Sequence, residues 1–234
     1  MRIVTVLRSG GDFTPKHVQV LAKQIEQYAF PHTLEVLSDI DVPGVIRIPL
    51  TYNWPGWWSK MEVMRPDVEG DILYFDLDTI VIDSLEPILK TKRLTMLRDF
   101  YRDGTRHPAG LLESLISLLV QPRNFSRNGV LCPEGLQSSV MFLPEAERTV
   151  AWNAWITSPC MYMEKFQRGG DQAFLETIWL NKADRWQDIL PRQFVSYKAH
   201  VRGKTFPLGV RVIIFHGQPR PWAVPEFQHV YQGQ

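Results

Sequence analysis

Asp71-Ile72-Leu73-Tyr74-Phe75-Asp76-Leu77-Asp78-Thr79-Ile80-Val81-Ile82 carries an apolar run, two carboxylates and a second apolar run in immediate succession. Ile72 to Phe75, bounded by Gly70-Asp71, reads as a buried strand. On extended backbone, residues i and i+2 point to the same side. Asp76 and Asp78 are therefore expected to project together from the strand end, between hydrophobic flanks. Two like charges held that close repel, and each raises the other's pKa. A bound cation removes the repulsion. Oxygen-only ligands suit Mg²⁺ or Mn²⁺, and Mg²⁺ is usually held by one or two carboxylates plus substrate phosphates. The bland alternative is two solvated Asp residues at a strand-to-loop junction, which the apolar flanks disfavour.

Strands and helices are expected to alternate around this motif. Arg2 to Leu7 reads as a buried first strand, broken by Ser9-Gly10-Gly11-Asp12. Thr14 is a good N-cap with Pro15 at the first helical position. Val18, Leu21, Ala22, Ile25, Tyr28 and Ala29 then mark one helix face. Thr33 to Leu37 is the second strand, ending in Ser38-Asp39. Strand–helix–strand order predicts a parallel pair with a right-handed crossover. Ligands in such sheets lie outside the carboxyl ends of the strands. Leu7, Arg8 and Asp39 are thereby placed on one rim with Asp76 and Asp78.

Between strands, Tyr52-Asn53-Trp54-Pro55-Gly56-Trp57-Trp58-Ser59-Lys60-Met61-Glu62 puts three tryptophans around a Pro-Gly turn, with a helix beginning near Ser59. Aromatic faces beside Lys60 suit a sugar or base stacked next to a phosphate. A hydrophobic corner of the core with Lys60 solvated fits the same residues. Lys90 to Arg127 is the least regular part, read as a long loop or lid followed by a short helix around Leu111 to Leu119. Its local basic excess, including Arg98, Arg102 and Arg106, suits an anionic acceptor or a solvated face. Ser138 to Leu143 reads as another buried strand, followed by a helix from Glu145 to about Ile156. Gly169-Gly170-Asp171-Gln172 precedes a further helix, with Asp171 as its N-cap. Val210 to Phe215 is the last strand, leading into His216-Gly217-Gln218-Pro219-Arg220-Pro221-Trp222, which resembles a site more than a linker. Ala223 to Gln234 is expected to be surface packing.

The chain has 234 residues and a net charge of +1, which gives no global attraction to nucleic acid or anionic membrane. Cys132 and Cys160 are far apart and in no metal-binding pattern, so a reducing compartment is expected. No signal peptide or membrane-spanning run is visible, and a cytoplasmic protein is the expectation.

The strand with Asp-x-Asp, the later Asp-Gln, and the final strand leading to Gly-x-x-Arg-Pro-Trp together resemble the metal-dependent GT-A glycosyltransferases. The likeness is greatest to the glycogenin and lipopolysaccharide galactosyltransferase group, in a bacterial or phage branch whose Gly-Trp-Trp-Ser-Lys and Tyr-Phe-Asp-Leu-Asp-Thr segments look similar. The resemblance implies an α/β fold. It would be one GT-A domain over 1–234, with a Rossmann-like nucleotide-binding half (about 1–85), a mixed-sheet acceptor and sugar half (about 86–222) and a tail (223–234). It implies Mn²⁺ or Mg²⁺ and a nucleotide-sugar donor, a UDP-sugar foremost, with the sugar moved to an acceptor hydroxyl with retention. Asp76 and Asp78 match the metal-binding pair. Asp171 and Gln172 match the pair that contacts the transferred sugar. Gly217 and Arg220 match the Gly and Lys that hold the diphosphate. Leu7 and Arg8 lie where the family binds the base, and Asp39 and Lys60 fall in the same donor site. Ile214 stands at the family's metal-binding His position. His216, two residues later, is the candidate third ligand. The acceptor is left open among a saccharide, a glycolipid, a protein hydroxyl and a modified nucleic acid. Two other readings remain: a haloacid-dehalogenase-like phosphatase with Asp76 as nucleophile, and a nucleotide-sugar-binding protein without turnover.

Overall fold

A computed structural model describes residues 1–102 and 134–232 of the chain. The expected helix at Leu111–Leu119, and Arg106, Arg123 and Arg127, lie outside the described residues. The first strand, β1, is Arg2–Leu7, and the helix Pro15–Tyr28 follows it. Thr14 caps that helix in a reciprocal arrangement in which its backbone N–H donates to His17 Nδ1 at 2.9 Å. Strand β2 is Leu34–Ser38, one residue later than the sequence pattern predicts, and β3 is Ile46–Pro49, an edge strand that the pattern does not reveal. A 3₁₀ helix, Gly56–Met64, leads to β4, Ile72–Phe75, and the chain then turns into β5, Thr79–Val81. Strand β6, Thr95–Arg98, lies inside the part read as irregular. Strand β7 is Leu136–Leu143, and the helices Glu145–Ile156 and Gly170–Trp179 follow. Short strands β8 (Asp184–Arg185), β9 (Phe194–Ser196) and β10 (Val212–Ile214) complete the sheets.

The larger sheet has the order β3-β2-β1-β4-β7-β6-β8. β1 to β4 are parallel, whereas β7 runs antiparallel to both β4 and β6. The smaller sheet is β5-β10-β9. Sheet direction thus changes beside β4, the strand that ends at Asp76.

At the centre of the large sheet both faces are buried, which is why β4 and β7 are buried along their whole length. Leu73 and Phe75 pack with Val18, Leu21 and Ile25 of the first helix. Ile72 and Tyr74 face the other way, onto Trp58, Met61 and Trp155. The C-terminal segment corrects the expectation of surface packing. Residues Pro225–Gln232 form a helix, and Phe227 and Tyr231 are buried against Tyr197 and Phe215. Aromatic residues spaced four apart supply one apolar face, which is enough to dock a short helix.

Arg148 shows how the tryptophan segment is held. It is 1 % exposed. Its guanidinium donates to the carbonyls of Val63 (3.0 Å), Arg65 (3.1 Å), Val68 (2.6 Å) and Gly70 (2.6 Å). Those carbonyls lie at the end of the 3₁₀ helix and in the irregular backbone that follows it, where no strand pairs with them. An Arg148→Lys variant keeps the charge but loses the planar fork. It is expected to lose about 1–3 kcal/mol of stability, the range for buried acceptors left unpaired, measurable by urea unfolding.

Candidate active site

The strand ends build one cavity of about 760 Å³ at the carboxyl ends of β1 and β4. Beyond Phe75 the backbone is not extended. It makes a tight turn, with the Thr79 N–H on the Asp76 carbonyl at 3.1 Å, and crosses into the small sheet. Asp76 and Asp78 nonetheless both line the cavity. Antiparallel pairing of β7 lays Ser138 and Ser139 alongside, with the Asp76 N–H on the Ser139 carbonyl at 2.7 Å. On the other side β10 pairs with β5, and the Phe215 N–H reaches the Asp78 carbonyl at 3.2 Å. That contact delivers His216 and Gly217 to the same cavity. Residue 217 has φ +73°, the left-handed region that glycine tolerates.

Each carboxylate is held by protein cations. Asp76 Oδ1 accepts from the Tyr74 hydroxyl at 2.6 Å and pairs with Lys60 Nζ at 2.8 Å. Lys60 Nζ also lies 3.2 Å from Asp171 Oδ2 and donates to Ser138 Oγ at 3.1 Å. The Ser138 hydroxyl donates in turn to Asp171 at 2.8 Å, which closes a buried network. Burial pulls the Lys60 ammonium down, but Asp171 and Asp76 outweigh it and raise its pKa above the ordinary lysine range. Lys60 is 8 % exposed, so the alternative in which it is solvated fails. Asp78 pairs with Arg220 Nη1, and Arg220 Nη2 lies 3.3 Å from Asp12. The guanidinium sits 4.8 Å from the centre of the Phe13 ring. Burial first, and the Asp76 carboxylate second, push the Asp78 carboxyl up to about 7 against the pull of Arg220 and Lys60.

Other candidates fall into place unevenly. Asp171 does not cap its helix: Gly169 is the N-cap, and the Asp171 side chain turns inward to Lys60 and Ser138. Gln172 lines the cavity and its Nε2 donates to Asp99 Oδ2 at 3.2 Å. Arg8 lines the cavity and pairs with Asp39 at 3.0 Å. Leu7 is fully buried in the core, and neither Leu7 nor Asp39 lines the cavity. Asp39 instead accepts from the Ser9 N–H at 2.8 Å and fixes the loop after β1. Arg98 and Arg102 are consumed by ion pairs, Arg98 with Glu134 and Asp188 and Arg102 with Asp99 and Glu176. Sequence reasoning missed Asp12, Phe13 and Tyr74. It also missed Ser138 as a site residue, although two serines at the start of a buried strand were a readable signal.

His216 lines the cavity, but its Nε2 is hydrogen-bonded to Ser196 Oγ at 2.7 Å. Its ring stacks on Phe100 with centroids 5.8 Å apart. Burial, reinforced by Lys198, holds its pKa down at about 4, so the imidazole is neutral at pH 7. Among the described residues no three His, Cys, Asp or Glu side chains converge as a metal-binding group. The expected Asp76–Asp78–His216 trio is therefore not assembled, and Ile214, wholly buried, supplies no substitute. Two carboxylates sharing a cavity still fit a hard cation whose other ligands are phosphate oxygens and water.

Neither a protein family nor a curated protein sequence matches the chain. Solved structures do. The galactosyltransferase LgtC, solved with donor and acceptor sugar analogues, matches with TM-score 0.62 at 14% identity over 99% of this chain and 95% of its own. GlyE, a glycosyltransferase of Streptococcus pneumoniae TIGR4, gives 0.64 at 14% identity over 98% of this chain and 59% of its own. Mouse xyloside xylosyltransferase 1 gives 0.51 at 11% identity over 93% and 97%. The chain has the fold of the GT-A glycosyltransferases.

Proposed function

We propose that the protein is a metal-dependent glycosyltransferase that moves a sugar from a nucleotide-sugar, foremost a UDP-sugar, to an acceptor hydroxyl with retention at the anomeric carbon. One observation carries the proposal: Asp76, Asp78, Lys60, Asp171 and Arg220 surround a single cavity at the strand ends of this fold. The phosphatase alternative has no comparable support, because the similar folds are glycosyltransferases.

Asp76 and Asp78 would hold Mn²⁺ or Mg²⁺, with donor phosphates completing the coordination. When bound, the cation supplies Lewis-acid stabilisation of the departing diphosphate. Arg220 offers a planar fork of donors for the same phosphates. Gly217, without a side chain, leaves its backbone N–H approachable. As the sugar–oxygen bond breaks, negative charge grows on the diphosphate and positive charge on the sugar ring. Asp171, fixed by Lys60 and Ser138, and Gln172 present carboxylate and amide oxygen to that cation-like sugar. The buried Lys60 pairs with both Asp76 and Asp171 and offsets the repulsion between them. Arg8 flanks the base end, braced by Asp39.

A screen of nucleotide sugars with Mn²⁺, read by thermal stabilisation and donor hydrolysis, tests the reading. Stabilisation by a UDP-sugar that requires Mn²⁺ is expected; no response to any nucleotide sugar removes the proposal. Stabilisation without hydrolysis or transfer favours the binding protein instead. Arg220→Ala is expected to weaken donor binding by about tenfold to a hundredfold, since charge-assisted hydrogen bonds contribute about 1.5–3 kcal/mol. Calorimetric titration with the UDP-sugar and Mn²⁺ measures it.

A further inference from the structure

Only one of the three tryptophans in the Tyr52–Glu62 segment leaves the core. Trp54 and Trp58 are 8 % and 5 % exposed, while Trp57 is 57 % exposed and lines the cavity. An aromatic face left open on a cavity that also carries charged groups offers a surface on which an occupant can stack.

Backbone geometry aims this ring. Asn53 and Gly56 have φ of 55° and 54°, two left-handed residues within four positions. Asn53, the non-glycine of the two, is the kind of backbone outlier that clusters at ligand-holding sites. Gly170 supports the ring from below. A Cβ there would lie 3.0 Å from Trp57 Nε1 and 3.1 Å from Cδ1, so the glycine, at φ +63°, lets the indole rest directly on the start of its helix, where a side chain would push the ring outward. The next two residues are Asp171 and Gln172. Trp57 therefore stands at the sugar end of the cavity.

A gradient of exposure separates the two substrates. Lys60, Asp78 and Asp171 are 8 %, 4 % and 5 % exposed, deep in the cavity. Trp57 is at the mouth, where a second substrate enters. Arg168 lines the same cavity, is exposed, and makes no hydrogen bond or ion pair among the described residues. It adds free donors for hydroxyls beside the ring.

We propose that Trp57 is the stacking platform of the acceptor subsite and that the acceptor is a pyranose saccharide, whose apolar ring face lies on the indole while Arg168 reaches its hydroxyls. Aromatic faces with a polar group alongside match the two-sided chemistry of a sugar ring. A nucleobase also stacks on tryptophan, but nucleic acid needs cations for its phosphates. Arg98 and Arg102 are held in ion pairs, and Arg93 pairs with Asp184 and Lys90 with Glu86 at the surface, so of the cations from Lys90 to Arg102 only Lys92 makes no ion pair among the described residues. This subsite rests on the glycosyltransferase reading.

Donor hydrolysis and transfer are to be measured separately with Mn²⁺, the active UDP-sugar, a series of p-nitrophenyl pyranosides, and a single-stranded oligonucleotide carrying hydroxymethylpyrimidine. Trp57→Ala is expected to raise the pyranoside KM about tenfold to a hundredfold, with donor hydrolysis within twofold of the unaltered protein. Trp57→Phe is expected to recover most of the loss. An unchanged pyranoside KM overturns the subsite alone. An equal loss of donor hydrolysis assigns Trp57 to the donor and also overturns it. Transfer to the oligonucleotide and to none of the pyranosides overturns the saccharide class. No donor hydrolysis by the unaltered protein overturns the transferase reading, and this subsite with it.

Discussion

Replacing Asp78 with Asn is expected to lower Mn²⁺-dependent donor turnover by about a thousandfold while the chain stays folded. A Lewis acid at a developing phosphate charge contributes several kcal/mol, and about 4 kcal/mol corresponds to a factor of about 10³ in rate. The fold is expected to survive because the Asp78 carboxyl already sits at about 7, so its charged form is barely preferred in the buried setting. Asn keeps the shape and a hydrogen-bonding oxygen for Arg220, which retains Asp12 as a partner. Donor hydrolysis and Mn²⁺-dependent stabilisation measure the first part, and a thermal melt without metal measures the second. Full metal-dependent turnover in Asp78→Asn would sink the assignment of this pair.

Lys60→Met is expected to destabilise the protein by about 3–5 kcal/mol, the usual result of stripping one partner from a buried charge cluster. Met fills much of the same volume, so the loss is electrostatic rather than a cavity. Asp76 and Asp171 would face each other without the ammonium that lies 2.8 Å from one and 3.2 Å from the other. For a domain of this size that is on the order of 10 °C in Tm. Adding Asp171→Asn to Lys60→Met is expected to restore a large part, because it removes one orphaned charge. A double-mutant cycle in urea measures this coupling. Independent, additive losses would mean that Lys60 is solvated in solution.

That Asp76 and Asp78 share one cavity was legible because carboxylates set between apolar strand residues have few structural uses. Thr14-Pro15 and the helix face through Ile25 were legible because capping and helical periodicity are local. The partner of His216 was not legible because counting on extended backbone ignores the small sheet: Ser196 on β9 is hydrogen-bonded to its Nε2. Asp171 was read as a cap because its sequence neighbours allow it, but Lys60 and Ser138, far away in the chain, claim its side chain. The strand Thr95–Arg98 was hidden by the basic residues around it.

The chain's own order of residues determined the alternation of strands and helices, the position of the acidic pair at a strand end, and the glycine and arginine after the last strand. Those follow from backbone periodicity and turn chemistry, which act over a few residues. Only the tertiary structure decided which charge meets which. It set Lys60 between Asp76 and Asp171, and Arg220 on Asp78, and it sent Trp57 outward while burying Trp54 and Trp58. Ion pairing and burial depend on what β7, β10 and the helix Gly170–Trp179 bring alongside, and no local pattern encodes that.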